Sequence, residues 1–237
     1  MRVLALPLLL LAGLAAPARA EPDAGVAWKL TAGHYSSSDH NDANDLNLRG
    51  SRGPVTGWLG VYRDRAGFQQ WRSGLEWHAD GELLRSVSSL QNASGGAWVG
   101  SLSAEIGADT FAIAGWGRTN VRNYVNLNYD PNDAITLGLG TRALKDTELS
   151  LFQVRDDRLH TGQQVTHAVW RQHFEGEQRL TVDLYAKRGL TGDGQFVSDR
   201  SLSVGYDRGP LFVRLAHDPH AGFTSANQNR LSFGARF

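Results

Sequence analysis

Apolar and polar residues alternate with period two along most of this chain, and no other feature restricts its folds as strongly. Val26, Trp28, Leu30 and Ala32 share one side, with Lys29 and Thr31 on the other. Trp71, Ser73, Leu75, Trp77 and Ala79 oppose Arg72, Gly74, Glu76 and His78. Leu180, Val182, Leu184 and Ala186 oppose Arg179, Thr181, Asp183 and Lys187, and Leu231, Phe233, Ala235 and Phe237 end the chain in the same way. Side chains that alternate like this sit on the two faces of a β-strand, one face apolar and one polar. No segment after residue 20 carries a convincing i, i+3, i+4 apolar stripe, so the expected class is all-β.

Turn chemistry divides the strands into hairpins. Ser51-Arg52-Gly53-Pro54, Ala79-Asp80-Gly81-Glu82, Gly107-Ala108-Asp109-Thr110, Lys145-Asp146-Thr147, Glu175-Gly176-Glu177-Gln178 and Asp207-Arg208-Gly209-Pro210 supply the residues that tight turns need. The first apolar residue after each turn, counting from Val26, falls at 26, 55, 83, 111, 149, 180 and 211. Such a period holds two strands of about ten residues with a turn and a loop. Seven hairpins predict about fourteen strands, with 12–16 the range, because the interval from 111 to 149 leaves Arg118 to Tyr129 as either a long loop or an extra strand. Longer polar segments lie between the turns, at Ser36 to Asn44, Asn92 to Gly96, Asp157 to Gly162, Gly189 to Gln195 and Asp218 to Gln228. Tight turns at one end and longer loops at the other suit an antiparallel up-and-down transmembrane β-barrel better than a soluble sandwich.

The first twenty residues read as an export address. A short basic start at Arg2 precedes the apolar run Val3 to Ala16, and Ala18-Arg19-Ala20 provides a small-x-small cleavage site. Residues 1–20 are expected to be a cleavable signal peptide and 21–237 a single barrel domain. Removing Arg2 and Arg19 leaves 22 basic against 24 acidic residues, so no basic nucleic-acid footprint exists. With no Cys there is no disulfide framework, no lipidated N-terminal cysteine and no thiolate chemistry.

Over Val26 to Phe237 the chain resembles bacterial outer-membrane β-barrel proteins of the porin-like kind. The leading segment, the hairpin period and the last strand ending on Phe237 carry the resemblance. It implies an outer-membrane location and a C-terminal assembly signal at Phe233 and Phe237. The family favours a bulky residue two before the end, where this chain has Ala235. Expected partners are outer-membrane lipid and lipopolysaccharide, the barrel-assembly machinery and small solutes. The function this implies is a small solute channel or a structural surface protein. A soluble periplasmic β-sheet protein is the alternative from outside the membrane.

If the apolar faces meet lipid, the lumen receives Lys29, Arg49, Arg72, Arg179, Lys187, Arg214, Arg230 and Arg236, against Glu76 and Asp183. Unpaired charge inside a barrel requires water or neutralising partners. Two readings follow: an anion-favouring aqueous passage, or a plugged lumen in which Asp39, Asp42 and Asp45 fold inward on their loop and pair with the cations. Trp28, Trp58, Trp71, Trp77, Trp98, Trp116, Trp170, Tyr62, Tyr185 and Phe174 are candidates for interfacial girdles.

The densest chemistry lies in residues 33–45. His34 and Ser36 share a face at i, i+2, and Asp39 could orient the histidine, as in a barrel-borne lipid hydrolase. The motifs of those hydrolases are not reproduced. Asp39, Asn41, Asp42 and Asp45 offer oxygen ligands for Ca²⁺ or Mg²⁺ but lack the glycine and distal Glu of an EF-hand. A solvated acidic loop is the simpler reading, and no cofactor is expected.

Overall fold

Fourteen antiparallel strands follow one another around a closed barrel in the computed structural model, which describes residues 25–237. The expected signal peptide lies outside the described residues. The strands are β1 (Ala27–Ser37), β2 (Ala43–Arg52), β3 (Val55–Asp64), β4 (Gln69–Asp80), β5 (Leu84–Ala93), β6 (Ala97–Ile106) and β7 (Thr110–Thr119). They continue as β8 (Ala134–Leu144), β9 (Thr147–Asp156), β10 (Gln164–Phe174), β11 (Gln178–Leu190), β12 (Phe196–Arg208), β13 (Leu211–Asp218) and β14 (Gln228–Arg236). Each pairs with its chain neighbours, and β1 closes on β14 in register from Lys29–Arg236 to Ser37–Gln228. Trp28 and Phe237 extend that seam, exchanging backbone hydrogen bonds of 2.8 and 3.0 Å.

The expected sorting of connections is present. At one end the turns have two or three residues, as between Arg52 and Val55 or Arg208 and Leu211. At the other end lie 38–42, 65–68, 94–96, 120–133, 157–163, 191–195 and 219–227. The stretched interval resolves as a loop: β7 continues through Thr119, and residues 120–133 connect it to β8. Four of the expected loops are shorter than their polar sequence suggested, because β1 runs on to Ser37 with β2 starting at Ala43, β5 runs to Ala93, β11 to Leu190, and β13 and β14 take in Asp218 and Gln228.

Alternation sorts the side chains. Leu59, Trp71, Leu75, Leu137, Leu139, Leu151, Leu184 and Phe233 point outward, each more than half exposed. Three of the aromatic candidates turn inward instead: Trp58, Tyr62 and Tyr185 occupy the opposite parity, with Trp58 and Tyr185 buried. Trp58 lies beneath the Arg49 guanidinium, 5.9 Å from its ring. Every Asp and Glu within the fourteen strands falls on the inward alternation, whereas the outward charges are all arginine.

The closing seam depends on a glycine. A Cβ at Gly234 would lie 2.1 Å from the Leu30 carbonyl oxygen and 2.4 Å from the Phe212 ring. That ring crosses the lumen side of Gly234 and takes Lys29 and Arg236 on its face, at 4.6 and 5.1 Å. Gly234→Ala should therefore displace Phe212 and strain the last strand, costing about 1–3 kcal/mol. A reduced midpoint in urea unfolding of the refolded barrel checks this, and an unchanged midpoint would count against the close approach.

Candidate functional site

The lumen is divided by its longest loop. Residues 120–133 leave the rim, turn inward and dock on strands from across the barrel. Gln70, 1% exposed, holds the loop with both ends of its amide. Its Nε2 donates to the Asn123 carbonyl at 2.8 Å, and its Oε1 accepts from the Val125 N–H at 2.9 Å. Arg72 donates to the Val125 carbonyl at 3.2 Å and pairs with Asp45. Arg230 donates to the Leu127 carbonyl at 2.6 Å, and the Tyr124 hydroxyl donates to Gln91 at 2.5 Å. Tyr129 packs with Tyr35, Ala43 and Ala221, and donates its hydroxyl proton to Gln228. Val121 and Tyr129 adopt left-handed backbone, φ 60° and 65°, at the two bends of the loop. A β-branched residue there is strained, so the surrounding contacts hold the bend.

Beside the loop is a cavity of about 680 Å³ whose walls differ in chemistry. Strands β11, β13, β14, β1 and β2 bring Arg179, Arg214, Arg230, Arg236, Lys29 and Arg49 to it, and β12 between them brings Asp207. The facing strands offer small or neutral residues such as Ser101, Ser103, Gly115 and Thr136. Seven cationic residues line the cavity against the four carboxylates Asp45, Glu76, Asp130 and Asp207. Arg49 pairs with Glu76, and Asp207 takes both Arg236 and Arg179, the latter at 3.2 Å. Among the described residues, Lys29, Arg214 and Arg230 form no ion pair. The buried Nε donors of Arg179 and Arg230 also lack a protein acceptor.

The other sequence-selected residues lie as follows. Lys187 faces inward higher up, away from the cavity, where its ammonium donates to Asp218 at 2.6 Å and to the His220 carbonyl at 3.0 Å. Asp183 meets His167 Nδ1 at 3.0 Å, and Asp130 of the inserted loop meets His167 Nε2 at 3.0 Å. Asp45 belongs to β2 and faces the lumen. Asp39 and Asp42 stay in the 38–42 turn and neutralise nothing inside. Asp42 accepts the Ser37 N–H at 2.8 Å, and Asp39 accepts the Asn41 N–H at 3.1 Å. Hydrogen bonds from the Ser37 hydroxyl and that N–H hold the Asp39 carboxyl below its usual range. The segment that enters the lumen is thus 120–133, since a five-residue turn whose carboxylates are satisfied locally cannot reach it. Among the described residues, no three metal-ligating side chains gather.

His34 and Ser36 lie on the outer wall, with Leu215, Leu231 and His217 around them. His34 Nδ1 is 3.0 Å from Asn44 Oδ1, so Asn44 and not Asp39 orients the ring. No hydrogen bond joins Ser36 to His34 among the described residues, so a nucleophile paired with its base is not assembled.

Sequence reasoning missed many of the inward carboxylates. Asp45, expected inward on its loop, meets Arg72 from strand β2 instead, and Glu105, Glu148, Asp199, Asp207 and Asp218 all lie on strands and face cations or histidine. Their signal was parity: each falls on the polar side once the strand ends are extended by a few residues.

No known protein family and no curated protein matches the sequence. Solved structures do match the fold. The outer membrane protein Omp33 of Acinetobacter baumannii superposes with a TM-score of 0.59 at 10% identity, covering 90% of this chain and 98% of that one. The KdgM porin aligns with a TM-score of 0.48 at 8% identity, over 88% and 98% of the two chains. A mutant porin from Rh. blastica gives 0.49 at 10% identity, over 90% and 99%. The chain therefore shares the closed-barrel fold with Omp33.

Gln70→Ala should release the inserted loop. It leaves a buried N–H and a buried C=O unpaired, at a cost of about 1–3 kcal/mol. Hydrogen exchange at the Val125 amide should accelerate at least tenfold while the β4–β5 amides keep their protection. Unchanged exchange at Val125 would show that the clamp does not hold the loop.

Proposed function

We propose that the mature chain, exported by cleavage of residues 1–20, is an outer-membrane barrel that passes small solutes and favours anions. The observation that carries the reading is the one-sided cavity, in which Lys29, Arg214 and Arg230 remain without carboxylate partners opposite a neutral wall. Fixed positive charge in a narrow, low-dielectric passage raises the local anion concentration. The inserted loop narrows the route and brings only one carboxylate, Asp130, to the cavity, where His167 engages it.

The membrane location has its own support. Outward aromatics cluster toward both ends of the wall, with Trp71, Trp98 and Phe196 near the loops and Trp28, Trp77 and Phe233 near the turns. Leucines fill the band between them. That layout suits two interfaces around a hydrocarbon core. The fold shared with Omp33 agrees with it.

Two measurements test this reading. In planar bilayers the refolded protein should conduct, and reversal potentials in a salt gradient should show anion preference. Lys29→Ser with Arg214→Ser should weaken that preference, since neither cation is tied to a carboxylate. Screening over about 8 Å at 0.15 M should reduce the selectivity as salt rises. A cation-selective or silent wild type would refute the channel as described. On the outer wall, Val182→Arg should destabilise the folded barrel in bilayers by about 2–4 kcal/mol if it lies at the midplane. Thr181→Arg, facing the lumen, should cost much less, and equal tolerance would argue against a lipid-facing wall.

A further inference from the structure

All outward-facing charged residues on the strands are arginines, and they are unevenly placed. Arg52 and Arg208 stand apart near the tight turns, on β2 and β12. Near the long loops, Arg63 of β3 stands alone and Arg118 of β7 is paired with Asp157, whereas Arg155, Arg188 and Arg200 lie together on β9, β11 and β12, each exposed. The register defines the group. Gln164 of β10 is paired with Arg155 on one side and Arg188 on the other, so these arginines stand two strands, about 10 Å, apart. Arg188 pairs with Ser198, and Arg200 sits two residues further along the same strand, opposite Ala186. A concavity of about 540 Å³ opens between Arg188 and Arg200, edged by Gln164, Thr166 and Ser198.

The level of this patch on the wall is fixed by the next apolar row. Leu151, Ala168, Leu184 and Leu202 are aligned across the same four strands, just on the turn side of the arginines. Among the described residues none of the three arginines pairs with a carboxylate; Arg188 reaches only the Gln164 amide oxygen, at 3.3 Å. The outward face of the strands holds no Asp or Glu, and Asp157, just past the end of β9, is engaged by Arg118 at 2.6 Å. Three like charges gathered beside an apolar band repel one another, and each favours an anion at that depth.

We propose that this patch binds the phosphate groups of a phosphorylated glycolipid of the lipopolysaccharide class, in the leaflet on the long-loop side. The inference rests on the membrane reading above. Guanidinium forks match phosphate oxygens two at a time, and three of them within reach of one headgroup suit a lipid carrying more than one phosphate. The neutral polar edge of Gln164, Thr166 and Ser198 offers hydrogen bonds to sugar hydroxyls or ester carbonyls. The apolar row below continues along the acyl chains. An ordinary interfacial arginine extends to water and needs no such neighbours.

The test uses the refolded full barrel, first inserted into phosphatidylcholine vesicles and then exchanged into detergent micelles for native mass spectrometry. The probes are bisphosphorylated lipid A and the same lipid with both phosphates removed. The wild type should retain the phosphorylated form at least tenfold better. Arg155→Gln/Arg188→Gln/Arg200→Gln should lose that preference while keeping heat-modifiable gel mobility, and Arg52→Gln/Arg208→Gln should retain it. Insertion without phosphate preference, or a preference that survives the triple variant, would overturn the proposal and leave the membrane reading intact. Failure of the folded wild type to enter vesicles would remove both.

Discussion

Pairing of β1 with β14 removes the two open edges that a fourteen-strand sheet would otherwise present. Every other property of the molecule depends on that seam. Closure creates an inside and an outside, and strand parity then assigns each residue to one of them. A residue displaced by one position would exchange a leucine for a charge along a whole strand. The seam leaves little tolerance of its own, since Gly234 lies against the Leu30 carbonyl and the Phe212 ring. In hydrocarbon an unpaired backbone group is costly enough that only closed sheets and helices are stable there.

Within the enclosed space the charges are mostly matched. Arg142 bridges Glu105 and Glu148, Arg171 shares Glu148, and Lys187 with Asp218 is almost completely buried. Such pairs fill and stiffen the interior more than they stabilise it, because desolvation offsets much of their attraction. The exceptions are local. Lys29 and Arg214 face the cavity without carboxylate partners, and a solute would meet the field there. On the outer wall the strand charges are all arginine, and among the described residues one of these, Arg118, has a carboxylate partner, Asp157 at the loop end.

The barrel, the strand number and the two unequal ends were legible in the sequence because they follow from a period of two and from turn residues, both local properties. Lumen assignments were legible for the same reason at Lys29, Arg49 and Arg179, which lie on clean alternations. Strand ends were harder: Asp45 and Asp218 sit among polar residues, where an extended strand and a loop look alike. That ambiguity led to an overestimate of the lumen's positive charge. The choice of inward segment was not legible at all. The 33–45 region is rich in acid, yet the segment that enters is 120–133, whose anchors Gln70, Gln91 and Arg230 are distant in sequence. Amide side chains such as Gln70 show no partner preference until the fold brings a bare backbone N–H beside them.

Those distances have a consequence for the order of events in folding. The Gln70 bonds to the loop span 53 and 55 residues, and the Arg230 and Tyr129 bonds span 103 and 99. Contacts of such separation form only after the chain between them has been gathered, and the last of them requires β14. A nascent barrel whose seam is still open has β4 available to the loop but lacks Arg230 and Gln228 in place. The loop is then held at one side only. Docking at Leu127 and Tyr129 thus acts as a latch that engages when the circle completes, tying the interior of the barrel to the final step of its own assembly.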